Sequence, residues 1–144
     1  MPNQMERRLA YATSLHDSAA RTATGTGSAT TIKDAGAGIA FQLDLTAAAT
    51  DSGDTLNVYV QTTLDGTNWI DVVAFTQCLG NGGAKRHVAK ISGTAAETMF
   101  ETGSALSAGS VRNLIGDQWR VRWAITDAST ANASFTFSVT AVPN

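Results

Sequence analysis

The chain has 144 residues, a net charge of −2, 15% charged residues and a single cysteine. That length makes one ordinary domain, able to bury a core without metal or disulfide staples. The absence of a cationic excess argues against nucleic-acid binding as a main role, and one Cys excludes both an internal disulfide framework and a Cys-rich zinc site.

Residues 1–36 read as an N-terminal arm with room for one edge strand, and residues 37–144 as the folded domain. Within the arm, 6–15 has the makings of one or two helical turns anchored by Leu9 and Leu15, too short to be stable alone. The run Thr22-Ala23-Thr24-Gly25-Thr26-Gly27-Ser28 lacks large apolar groups and is expected to be extended. No apolar stretch follows Arg7 and Arg8, which disfavours a cleaved secretion signal. Nor does any run approach the ~20 apolar residues of a membrane-spanning helix.

Beyond the arm, hydrophobicity alternates with a period of two. Ile39-Phe41-Leu43-Leu45 predicts a strand over 39–47, and Leu56-Val58-Val60 another over 55–64. Between them, Asp51-Ser52-Gly53-Asp54 is a turn. Asp65-Gly66 then closes a hairpin onto a strand over 69–75, because Gly supplies the positive φ of a tight turn. After Gly80-Asn81-Gly82-Gly83 comes a more polar strand over 85–91, placed at a sheet edge where lysines discourage stray pairing. Residues 92–109 are rich in Gly, Ala and Ser, with room for a strand at 97–101, and 111–115 reads as a short strand or turn. Trp119-Val121-Trp123-Ile125 and Phe135-Phe137-Val139 mark the last two strands, expected as a terminal hairpin across 127–133.

Short strands separated by turns, without a sustained helical period, define an all-β fold: a single antiparallel β-sandwich of jelly-roll or Greek-key type. Its expected core is Ile39, Phe41, Leu43, Leu45, Leu56, Val58, Val60, Trp69, Phe75, Trp119, Val121, Trp123, Ile125, Phe135, Phe137 and Val139.

Charge is unevenly spread. Between Lys33 and Lys85 lie six acids and no base, whereas Lys85 to Arg122 holds six bases against Glu97, Glu101 and Asp117. Either these are ordinary solvated strand faces, or the acidic part of one copy meets the basic part of another.

Candidates for catalysis are sparse, and the chain reads as a non-enzyme without a cofactor. His16 and His87 lie far apart with no ligand spacing. No Gly-x-Ser-x-Gly elbow is present. Cys78 has no basic neighbour in sequence to activate it and is expected to be structural. Carboxylate pairs for glycoside hydrolysis would have to come from Asp65, Asp71, Glu97 and Glu101, whose spacing establishes nothing. Among the tryptophans, Trp119 and Trp123 share a strand face with Val121 and Ile125, while Trp69 follows a tight turn and is the one able to serve as an exposed sugar platform.

The stretch Leu56-Asn57-Val58-Tyr59-Val60-Gln61-Thr62-Thr63-Leu64-Asp65-Gly66-Thr67-Asn68-Trp69, with Phe75-Thr76-Gln77, resembles a pattern in small structural proteins of tailed bacteriophages. Trp119-Arg120-Val121-Arg122-Trp123 and Ser134-Phe135-Thr136-Phe137-Ser138-Val139 extend the likeness. The resemblance is to head decoration, or cement, proteins of β-sandwich or jelly-roll type. It implies a virion protein assembled in the bacterial cytoplasm that binds the major capsid protein as a homo-oligomer, with no catalytic residues. The contact residues expected are Arg7, Arg8, Leu9 and Leu15 in the arm and Lys85, Arg86 and Lys90 on the edge strand. A tail or head-to-tail joining protein is the alternative within that class, and a carbohydrate-binding attachment module the alternative outside it.

Overall fold

The computed structural model describes residues 12–33, 35–48, 51–95, 99–128 and 132–143. Numbered in chain order, the strands are β1 (Thr13–Arg21), β2 (Gly25–Thr26), β3 (Gly38–Ala47), β4 (Thr55–Thr63), β5 (Trp69–Ala74), β6 (Cys78–Leu79), β7 (Lys85–Ser92), β8 (Ser110–Val111), β9 (Gln118–Thr126) and β10 (Phe135–Pro143). Sheet A has the order β1-β10-β3-β7; sheet B has β2-β9-β4-β5-β8, with β6 pairing β4. All pairings are antiparallel.

The main pairs are nested: β4 with β5, β3 with β7, β2 with β9, and β1 with β10. Such nesting, folded into two facing sheets, is the jelly-roll arrangement. The innermost pair is the hairpin expected at Asp65-Gly66. Gly66 has φ of +79°, and Asp65 Oδ1 accepts the N–H groups of Thr67 and Asn68 at 2.8 and 2.7 Å. Those bonds, with one from the Asn68 amide, hold the Asp65 carboxyl well below the usual carboxylate range.

Side chains from both inner faces fill one core. Phe41, Phe135, Phe137, Trp119, Leu43, Leu45, Leu56, Val58 and Val60 are fully buried, as their alternation requires. Trp69 and Ile125, expected inside, are half-buried instead. Trp69 begins β5 on the outer face of sheet B, and Ile125 lies near the end of β9, packed against the core's margin. The core also takes in Leu15, Ile32, Val72, Val73, Ile91 and Cys78. Burial pushes the Cys78 thiol up, which keeps it protonated and unreactive.

Further expectations change, and the described part of 97–101 is not a strand. β9 and β10 do not form a hairpin: they lie in opposite sheets, so the connection between them crosses the sandwich. Asp54, fully buried, helps fix that crossing, its Oδ1 accepting the Ala128 N–H at 2.9 Å. The helical turns expected over 6–15 are not seen at their described end, because Thr13 already opens β1. The rest of that segment lies outside the described residues.

Residues of the expected arm supply a strand to each sheet. β1 forms an edge of sheet A, and a register shift within it lets Leu15 and His16, adjacent in sequence, both turn inward. β2 runs along β9, continued by bonds from Gly27 N to Val121 O at 2.7 Å and from Thr30 N to Trp119 O at 2.8 Å. Gly25 is needed there, since a Cβ would stand 2.8 Å from the Trp123 ring.

Candidate functional site

Two outer surfaces stand out, one on each sheet. On sheet A, β7 is the terminal strand, so among the described residues one of its sides is an unpaired sheet edge. Period-2 alternation turns Ile91 into the core and Arg86, Val88 and Lys90 outward, Val88 exposed to 70%, while Lys85 is exposed at the start of the strand. Beside Val88, the outer residues of β3 and β10 are small or neutral: Ala40, Gln42, Thr140 and Val142 line a shallow depression of about 250 Å³. Asp44 of β3 is paired with this edge, its Oδ1 3.7 Å from Arg86 Nε.

The expected contact residues therefore separate. Lys85, Arg86 and Lys90 do gather on one exposed edge. Leu15 does not face outward: at 6% exposure it is a core residue that fastens β1 to the sandwich. Arg7, Arg8 and Leu9 lie outside the described residues.

On sheet B, β4, β5 and β9 bring polar side chains together on the outer face. Arg122 grips Asp71 through Nε to Oδ1 at 3.0 Å and Nη2 to Oδ2 at 2.7 Å. Gln61 donates to Asp71 Oδ1 at 2.9 Å and accepts from Arg120 Nε at 2.7 Å. From the β8-side connection, the Leu106 N–H reaches Asp71 Oδ2 at 3.1 Å, tying that loop down over the sheet. Burial pushes the Asp71 carboxyl up, but bonds from Arg122, Leu106 and Gln61 outweigh it and leave the group below its ordinary value. Three guanidinium groups lie over aromatic rings: Arg122 over Tyr59 at 3.7 Å, Arg120 over Trp69 at 4.3 Å and Arg112 over Phe100 at 3.9 Å. A cleft of about 180 Å³ opens between this face and the loop, bordered by Trp69, Asp71, Thr102, Ser104, Arg112 and Arg122.

The sequence marks Arg120 and Arg122 simply as outward residues of β9. The register that sets Arg122 opposite Tyr59 and Arg120 opposite Gln61 brings them into the network, and no local pattern announces it. Asp65 and Asp71, weighed as catalytic carboxylates, are both engaged in structural bonds, and Glu97 lies outside the described residues. The two charge blocks also meet within one chain, at Asp44 with Arg86 and at Asp71 with Arg122. Among the described residues, no group of three or more His, Cys, Asp or Glu side chains could hold a metal ion. No helix among them is long and apolar enough to cross a membrane.

Compared with known proteins, the chain matches no protein-family model and no curated relative. Its class is thus given by architecture: an antiparallel jelly-roll sandwich with one open sheet face and one loop-covered face.

Proposed function

We propose that this chain is a non-enzymatic structural protein of a phage virion, a decoration protein that binds the outer surface of the capsid and stabilises contacts between major capsid subunits. The observation that carries the reading is the unpaired β7 edge, where Arg86 and Lys90 flank exposed Val88 and Lys85 stands at the strand's start, beside a charge-poor sheet face. A free edge can accept a strand from a neighbour, with side-chain pockets adding specificity. Lysines on that edge oppose indiscriminate pairing and favour a partner of negative charge. The shallow depression lined by Ala40, Gln42, Thr140 and Val142 carries no charge, so a partner can approach it at small desolvation cost. Jelly rolls recur in viral capsid and lectin domains, which is support by analogy of fold. Repetition over a lattice, with the chain acting as a homo-oligomer, turns a modest contact into a strong one.

Quantitative mass spectrometry of purified particles tests the reading. A decoration protein is present at a simple ratio to the major capsid protein. A few copies per particle would assign it to the tail or the head-to-tail joint, and absence from particles would remove the virion role. In particles that contain it, reversing Lys85, Arg86 and Lys90 to Glu is expected to abolish capsid co-sedimentation and the added resistance to heat.

A further inference from the structure

Sheet B carries an arrangement that contact through β7 does not require. A guanidinium stacked on a ring is held in one plane, with its N–H edge directed outward as a preformed fork for carboxylate, sulfate or phosphate. Two such stacks, those of Arg112 and Arg122, border one cleft, and Arg120 lies beside it over the Trp69 ring. Asp71 does not neutralise them all. Each of its oxygens already accepts two hydrogen bonds, so its capacity is filled, and it serves to fix Arg122. Burial, and to a smaller degree the adjacent Arg122 charge, pushes Arg120 down, with Asp71 opposing.

The rest of the lining narrows the class of ligand. Thr102 and Ser104 supply hydroxyls on the loop side, and half-buried Trp69 supplies an aromatic wall. At about 180 Å³ the cleft is smaller than the roughly 300–1,000 Å³ of a drug-sized site, so it admits one small unit. An extended acidic peptide is better matched to a sheet edge, and a nucleic-acid strand to a long basic groove with successive stacking platforms. A ring bearing hydroxyls and one anionic group uses every part of this cleft.

We infer that the cleft between sheet B and the loop over Asp71 binds one acidic unit of a saccharide, its carboxylate or sulfate on the Arg112 fork, its hydroxyls on Thr102 and Ser104, and its ring beside Trp69. The assignment is independent of capsid binding and gives the same chain a second, glycan-directed surface.

The full chain, applied to an array of glucuronate-, sialate- and sulfate-bearing glycans with their neutral counterparts, provides the test, followed by calorimetric titration with any glycan retained. Acidic glycans are expected to bind and neutral ones to be weaker by about tenfold or more. Arg112→Ala and Trp69→Ala should each lower affinity by about tenfold, and Arg112→Lys should restore little, because an ammonium is not a fork. Ser104→Trp, on the exposed loop wall, fills the cleft without removing a framework bond and should abolish binding even if the other variants fold poorly. The proposal is overturned if no acidic glycan binds, if neutral counterparts bind equally, or if Ser104→Trp leaves binding intact. It is equally overturned if sodium sulfate, a polyglutamate peptide or a single-stranded oligonucleotide binds as tightly as the glycan.

Discussion

The two sheets share one core and differ in what they do with their backs. Sheet A turns outward a run of small and neutral residues, with one exposed ion pair, Asp44 with Arg86, whose side chains are 32% and 65% exposed. Sheet B turns outward a buried network, in which the Asp71 and Arg122 side chains are 8% and 26% exposed and a loop is bonded over them. The same pair of residue types is thus a solvated accessory on one sheet and a structural joint on the other. Exposure rather than the presence of opposite charges decides which.

The sharpest way to break that contrast is Asp71→Ala. It leaves Arg122, Gln61 and the Leu106 N–H without their acceptor, and unfolding in denaturant should show a loss of about 3 kcal/mol, the low end for a broken buried pair because Arg122 can partly rehydrate. Asp44→Ala, the matched change on sheet A, should cost no more than about 0.5 kcal/mol in the same assay. Equal losses would show that the two pairs are alike and that the distinction between the sheets is false.

A second prediction concerns whether the N-terminal strand is part of the body. Leu15→Ala should cost about 2 kcal/mol, the low end for a core leucine because an edge strand can settle into the space. Unchanged stability would return β1 to the status of an appended arm.

The subtlest effect is one of pH. His16 is 6% exposed, between the Trp123 and Phe137 rings at 4.9 and 4.7 Å. Burial, reinforced by Arg21 and opposed by Asp17, lowers its pKa from the ordinary 6.5. The unfolded chain therefore takes up a proton that the folded chain resists. This contribution to stability is complete above about pH 6.5 and is lost as pH falls through the window below it. His16→Gln should flatten that part of a melting-temperature profile; an unchanged slope would place the titration elsewhere.

Much of the fold was legible because alternation is a local signal. Ile39 to Leu45 and Trp119 to Trp123 declare which side faces in, whatever strand lies beside them. Partnership is not local, and the last two strands illustrate it: neighbours in sequence, they were expected as a hairpin, yet β9 pairs with β4 and β10 with β3. Leu15 escaped the core list because it stands among Ser, His and Asp, where a register shift rather than a pattern turns it inward. Of the surfaces, the basic β7 edge was visible in advance. The arginine cleft was not, since Arg112, Arg122 and the β5 pair Trp69 and Asp71 come from three separate segments and meet only through tertiary pairing.

The nested pairing also has a consequence for how the molecule assembles. Thr63 meets Trp69 across a tight turn, whereas Thr13 must find Ala141 from the far end of the chain. Loop-closure entropy rises with each successive pair, so the β4–β5 hairpin forms cheaply and the β1–β10 pair gains most from a partner already in place. Folding on the millisecond-to-second scale typical of non-local β topologies follows, with β1 closing the sandwich last. Until it does, the side of β10 that receives β1 is itself an open edge.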